Sequence, residues 1–135
     1  MGRLHSARRL AMQLLYQLDL RESQPADILA LGLASSPSEP ETKQLAEAMA
    51  QGAWQQHMHL DAEIVKRSQH WALDRMTKVD VAILRLALYE LQYQNTPPQV
   101  VVNEAVELAK EFSDPDAPKF VNGILGVDLQ PLPRS

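Results

Sequence analysis

The segment VDVAILRLALYELQ, residues 79–92, decides the fold class. A helix formed by this segment would be apolar around nearly its whole circumference, interrupted by Arg85 and Glu90. Such a helix is normally enclosed by other helices, because an apolar surface on every side must be covered. The NTPP motif that follows ends the helix, since Pro97 and Pro98 supply no backbone N–H donor. We therefore predict a central, enclosed helix.

The segments on both sides of this helix also have a helical period. Downstream, apolar residues recur at intervals of three or four from Val101 to Phe112. This spacing indicates a helix over 100–112, although the three consecutive valines alone would suit a strand. Further helices are predicted at about 4–18, 26–33 and 41–57, after Asp61, and after an N-cap at Asp116 with Pro118 in the first turn. The prediction is an all-α fold of about seven helices in two small packed bundles.

Length and composition predict a single domain over residues 1–135, with a frayed tail at 126–135. The chain has 45% hydrophobic residues and no cysteine, which excludes disulfides, thiolate metal sites and a cysteine nucleophile. No apolar run approaches the ~20 residues of a membrane span. We expect a soluble, cytoplasmic protein that does not bind membranes.

The polar residues do not form a recognisable active site. His57 and His59 are two positions apart, about 200° on a helix, so they point away from each other and suit a surface. Turn and capping roles explain Asp114 and Asp116. Arg85 and Glu90 are expected to form a structural pair, because a charge on an apolar helix needs compensation. We therefore predict no catalytic residue, no metal ligand and no cofactor.

The first helix differs in charge from the rest of the chain. Arg3, Arg8 and Arg9 precede the first acid, Asp19, although the formal net charge is −4. Arginine makes bidentate contacts to phosphate, and tyrosine can stack on an unpaired base. This pattern favours an RNA-binding face, with an inert solvated face as the alternative. Five residues are predicted on or near the side opposite the leucines: His5, Arg8, Arg9, Met12 and Tyr16.

Four stretches, in this order, resemble the NusB family of bacterial transcription antitermination factors from about residue 6 to residue 125. They are SARRLAMQLLYQL, then WALDRM with the central helix, then VVVNEAVELAKEF, then KFVNGIL. The resemblance implies two helical bundles and no enzymatic activity. It also implies binding to boxA-type single-stranded RNA together with ribosomal protein S10 (NusE). That complex joins a transcribing RNA polymerase and promotes processive transcription of ribosomal RNA operons.

The resemblance also assigns roles to individual residues. Phe120 is expected either to stack on a base or to lie in the core. Asp80 is expected to face S10, to be an N-cap or first-turn acid of its helix, or to have both roles. Asn103 and Glu104 are expected to be structural, and Gly123 to allow close packing. The RNA-binding residues are Arg8 and Tyr16, with Arg3 and Arg9 adding charge, and a second patch of Asp116, Lys119, Phe120 and Asn122; the S10-binding residues are Asp74 and Asp80.

One departure and one alternative accompany the resemblance. Family members often have a denser basic run just before the position of Arg8, where this chain reads RLHS. Fewer phosphate contacts predict weaker RNA binding when S10 is absent. The alternative is a helical RNA-binding domain related to the amino-terminal part of ribosomal RNA methyltransferases. A third reading is a structural protein with only protein partners.

Overall fold

The computed structural model describes residues 2–21, 24–69 and 71–129, apart from the side chain of Asp128. These residues form seven α-helices without strands, so the all-α prediction is confirmed for this part of the chain. Two 3-10 helices, Leu73–Arg75 and Gly126–Leu129, complete the secondary structure. The α-helices are α1 (Arg3–Leu20), α2 (Pro25–Ser35), α3 (Pro40–Gln55), α4 (His57–Ser68), α5 (Lys78–Tyr93), α6 (Pro98–Phe112) and α7 (Ala117–Leu125).

Helix α5 is the enclosed central helix that the apolar pattern predicts. Its N-cap residue is Thr77, whose hydroxyl oxygen accepts a hydrogen bond of 3.1 Å from the backbone N–H of Asp80. Every residue from Asp80 to Leu88 is buried. Helices α1, α3, α4, α6 and α7 all pack against α5. Hydrophobic burial on every side therefore holds α5 in place.

Two groups of helices meet along α5. Helix α1 packs against α2 and α3, while α6 packs against α7. Helices α1 and α2 approach closely where Gly32 faces Leu14, because a Cβ atom at residue 32 would overlap the leucine side chain. The two predicted bundles therefore share one core, with α5 as the common element.

Two helix boundaries at the junction of α3 and α4 differ from the sequence prediction. Helix α3 ends at Gln55 rather than at residue 57, and α4 begins at His57 rather than after Asp61. The chain changes direction at Gln56, where ψ is 13° and the helical path is broken. The predicted tail begins with the 3-10 helix Gly126–Leu129, and residues 130–135 lie outside the described residues. Among the helices that the structure describes, none is long and apolar enough to cross a membrane.

Candidate nucleic-acid interface

Arg8 lies inside the protein rather than on the predicted cationic face. Only 6% of its surface is exposed. Its Nε donates to both carboxylate oxygens of Glu90 at 3.0 and 2.9 Å, and one terminal nitrogen donates to Glu90 Oε1 at 2.9 Å. The other terminal nitrogen donates to Glu104 Oε1 at 3.0 Å. The prediction that Arg8 is exposed on α1 is therefore wrong, because Glu90 of α5 and Glu104 of α6 bind its guanidinium inside the protein.

The two carboxylates keep Arg8 charged. Burial alone lowers the pKa of the guanidinium, but hydrogen bonds and charges from Glu90 and Glu104 outweigh burial and raise that pKa. His5 extends the cluster, with its Nδ1 at 3.2 Å from Glu104 Oε1. Glu104 thus has the structural role that the sequence predicts, since it joins α6 to the start of α1.

Arg3 and Arg9 are the exposed cations of the amino-terminal helix. Arg3 forms an ion pair of 2.6 Å with Glu41 at the start of α3. Arg9 pairs with Glu111, and its guanidinium carbon lies 5.4 Å from the centre of the Phe112 ring. Both ion pairs are partly exposed to solvent, so a phosphate can replace either acid at a small cost in free energy. Both cations therefore remain available to an external anion.

Tyr16 borders a groove of about 580 Å³ on the same helix. Its ring is half-buried, and Phe112 and Val79 contribute apolar surface to the same groove. Gln13 and Gln17 supply amide groups beside the tyrosine. Met12, which the sequence places near this face, is buried in the core. Because Phe112 contacts Arg9 and also lines the groove, one continuous surface runs from Arg9 to Tyr16.

The second predicted patch lies at the start of α7. Asp116 occupies the N-cap position, but its side chain makes no capping hydrogen bond to the described part of α7, so capping does not explain this acid. Lys119 and Asn122 are exposed. Phe120 is half-buried, and its ring meets the exposed ring of Trp71 edge-on at 6.2 Å. An aromatic pair with a neighbouring lysine therefore faces solvent here.

The end of α6 links the two patches. Arg9 contacts Glu111 and Phe112, the last two residues of α6, and α7 begins at Ala117. The residues lining the groove beside Tyr16 do not include any of the four patch residues on α7. The structure thus brings both patches to the same end of α6 but does not join them in one groove.

The two acids assigned to S10 lie in different environments. Asp74 is exposed in the 3-10 helix between α4 and α5. Asp80 is 7% exposed, and its Oδ1 accepts a hydrogen bond of 2.7 Å from the Ser113 hydroxyl. The first-turn role considered for Asp80 is therefore confirmed, and this carboxylate is not presented on the surface. Of the two acids, only Asp74 is openly accessible.

A family model described as the NusB family matches residues 5–127. The chain belongs to the NusB family. The resemblance inferred from the sequence motifs is thus confirmed.

Relatives and solved structures agree with the NusB assignment. The transcription antitermination protein NusB of Trichlorobacter lovleyi is 40% identical over 135 residues, which cover 99% of this chain and 94% of the relative. The structure of T. maritima NusB matches with a TM-score of 0.84 and 30% identity over 95% of this chain and 90% of that chain. A structure of antitermination factors NusB and NusE in complex with dsRNA matches with a TM-score of 0.84 and 28% identity, covering 95% and 96% of the two chains.

This NusB-family chain contains a second buried ion cluster, centred on Arg85. Its partners differ from the one that the sequence predicts. Arg85 donates to Asp61 at 2.7 and 2.8 Å and lies 3.4 Å from an oxygen of Asp19. Burial lowers the pKa of Arg85, but the hydrogen bond and charge of Asp61, together with Asp19, outweigh burial and raise that pKa. The expected pair of Arg85 with Glu90 is wrong, although both groups are buried and compensated. Residues five apart on a helix lie about 140° from each other, so spacing alone argued against that pair.

The site contains two features that the sequence prediction missed. The sequence prediction gives Trp71 no role, although this residue begins the WALDRM motif and its exposed ring is typical of a binding surface. Glu90 was assigned to the wrong arginine, because the two partners are 82 residues apart in the chain.

No group of three or more His, Cys, Asp or Glu residues that could hold a metal ion occurs in the part of the chain that the structure describes.

Proposed function

We propose that this chain is a transcription antitermination factor that binds boxA-type single-stranded RNA together with ribosomal protein S10 (NusE). In this role it acts without catalysis, in the cytoplasm, as part of a transcribing RNA polymerase complex. The observation that carries the proposal is the continuous surface from Arg9 over Phe112 to the Tyr16 groove. Membership of a family whose relatives are antitermination proteins supports the same role.

On this surface, RNA contacts are divided between a cation and aromatic rings. Arg9 supplies the phosphate contact, because its guanidinium is exposed and positioned over Phe112. Tyr16 offers a ring at the edge of the groove on which an unpaired base can stack. Arg3 adds a second cation near the start of α1. Arg8 acts indirectly, since it ties α1 to α5 and α6 and so positions Arg9.

The patch on α7 extends the RNA path. Lys119 makes no ion pair with any residue that the structure describes, so its charge is available to a phosphate. Phe120 and Trp71 offer ring faces to a second base, and the exposed Asp116 and Asn122 can accept or donate hydrogen bonds to base edges. A longer RNA strand would contact both patches and cross the end of α6, which lies between them.

Two contacts lower the affinity of the chain for RNA when S10 is absent. Glu41 pairs with Arg3, and Glu111 pairs with Arg9. RNA must displace both acids before its phosphates can bind the two arginines. S10 would dock on the side marked by Asp74, whose free carboxylate suits a basic surface. Its bound surface would then add cations beside the RNA strand.

A direct binding experiment tests this proposal. Labelled boxA RNA and a scrambled RNA are titrated with the chain alone and with the chain plus purified S10. We expect selective binding to boxA that strengthens with S10, and Arg9→Ala should weaken it. Lys66→Ala is the control, because Lys66 is an exposed cation on α4, outside both patches. Equal weak binding to both RNAs, with and without S10, would contradict the proposed function.

A further inference from the structure

Helix α7, which carries the second RNA patch, has little support of its own at either end. It is nine residues long, and a helix this short is marginally stable without contacts to the rest of the protein. Within the described residues, its N-cap residue Asp116 makes no side-chain capping hydrogen bond, and its last turn contains no basic residue. Contacts from other elements therefore decide where α7 lies.

Arg67, near the end of α4, contacts the carboxyl-terminal end of α7. One terminal nitrogen of Arg67 donates a hydrogen bond of 3.3 Å to the carbonyl oxygen of Ile124, in the last turn of α7. Carbonyl groups in the last turn form the negative end of the helix dipole, where a cation is stabilising. Arg67 thus supplies from α4 the positive charge that the last turn of α7 does not contain.

A carboxylate on α4 fixes the direction of this guanidinium. Arg67 Nε donates to Glu63 Oε2, one helical turn earlier, at 2.8 Å. The Arg67 side chain is only 13% exposed. Because the guanidinium is a rigid fork of donors, a bond to Glu63 on one side orients the remaining nitrogens. Arg67 is therefore directed at α7 and is poorly accessible to an RNA phosphate.

The segment after α4 holds the same side of α7. The Trp71 ring meets the Phe120 ring edge-on at 6.2 Å. Phe120 and Ile124 are one turn apart and share a face of α7. Lys119 and Asn122 are exposed and lie about 120–180° around the helix from that face. Arg67 and Trp71 thus hold α7 from one side and leave these two polar residues open on the other.

We propose that Arg67 is a positioning residue for RNA binding, which holds α7 in place and does not contact RNA. This inference rests on the proposed function, in which Lys119 and Asn122 bind the RNA strand. A strand that contacts both patches needs them at a fixed separation, and a surface that is already held in place binds at a lower entropy cost. Loss of the contact to Ile124 would therefore weaken RNA binding through α7.

RNA titration at several salt concentrations tests this inference. Labelled boxA RNA is titrated with the full chain and S10, using the wild type, Arg67→Ala and Arg67→Lys. We expect Arg67→Ala to weaken binding about three- to tenfold without changing the salt slope, because no phosphate contact is lost. Arg67→Lys keeps the charge and a donor, so it should retain most of the affinity. The control is Lys66→Ala, which removes the exposed neighbouring lysine and should bind like the wild type.

Two further measurements separate positioning from a general loss of stability. In hydrogen exchange without RNA, Arg67→Ala should speed amide exchange in α7 and leave exchange in α1 and α5 unchanged. In a chain that already carries Lys119→Ala and Asn122→Ala, Arg67→Ala should weaken RNA binding by less than about twofold, because the contacts that it positions are gone.

The outcomes distinguish this inference from the proposed function. A wild-type chain that does not select boxA over a scrambled RNA in the presence of S10 would overturn both. If the wild type selects boxA, three results would overturn only the role of Arg67. They are unchanged binding by Arg67→Ala, a salt slope reduced by about 0.7 as for a direct phosphate contact, and an equal loss of S10 affinity.

Discussion

Arg8 on the first helix and Glu90 on the central helix form a buried pair in which Nε and a terminal nitrogen of the arginine donate to the carboxylate at 2.9–3.0 Å. Glu104 from α6 accepts from the second terminal nitrogen of the same guanidinium. One side chain thus connects three helices. This arrangement separates the structural cation of α1 from Arg9, the neighbouring cation that faces solvent.

The first prediction concerns the stability of this pair. Arg8→Ala should lower the free energy of unfolding by about 3–5 kcal/mol, because the carboxylate of Glu90 would remain buried without its partner. Urea denaturation followed by circular dichroism measures the change. Arg9→Ala is the matched control, and it should change stability by less than about 0.5 kcal/mol. Equal losses from the two variants would contradict the structural assignment of Arg8.

The second prediction concerns the two acids near the start of α5. Asp80→Ala should lower the free energy of unfolding by about 1–3 kcal/mol, because the Ser113 hydroxyl loses its acceptor and the helix start loses a favourable charge. Asp74→Ala should leave stability unchanged and weaken S10 binding. Thermal unfolding and S10 titration of both variants check this division. A strong loss of S10 affinity in a fully stable Asp80→Ala variant would argue against it.

The third prediction concerns the salt dependence of RNA binding. Lys119→Ala should weaken boxA binding and reduce the slope of log affinity against log salt by about 0.7, the contribution of one phosphate contact to a single strand. Filter binding or fluorescence anisotropy at several salt concentrations gives the slope. The control is Lys66→Ala, which removes an exposed lysine from α4. An unchanged slope for Lys119→Ala would show that Lys119 does not contact an RNA phosphate.

The fourth prediction compares two helical glycines. Gly52→Ala should destabilise the protein by about 1–3 kcal/mol, because its methyl group would collide with the packed Tyr89 ring. Gly123→Ala should stabilise the protein by about 0.5–1 kcal/mol, because nothing lies within 4 Å and alanine is the better helix former. The expectation that Gly123 allows close packing is therefore wrong. Thermal unfolding of the two variants should show melting temperatures that move in opposite directions.

Much of the architecture was predictable because it depends on local chemistry. The apolar run from Val79 to Gln92 requires an enclosed helix, and Pro97 and Pro98 require that helix to end. The helices before and after α5 were predicted from their period, whereas the boundary at Gln56 was missed. No proline or glycine marks that position, and the change of direction depends on how α3 and α4 pack.

The candidate site was only partly predictable. Periodicity alone placed Arg8, Arg9 and Met12 on one face, but it contains no information about which sides of α1 are covered. Met12 is buried, Arg8 is buried against two glutamates, and only Arg9 is exposed. The motif resemblance identified the family, yet it could not distinguish an arginine that contacts a ligand from one that positions its neighbour.

By itself, the sequence determined the helical class, the order of the helices and the family, because period, proline positions and motifs are properties of short segments. Only the tertiary structure decided which charges meet solvent. Burial of a charge is tolerated where a distant part of the chain supplies an opposite charge, as Glu90 and Glu104 do for Arg8 and Asp61 does for Arg85. These partners come from other helices, so packing, rather than spacing along α1 or α5, selects the accessible cations.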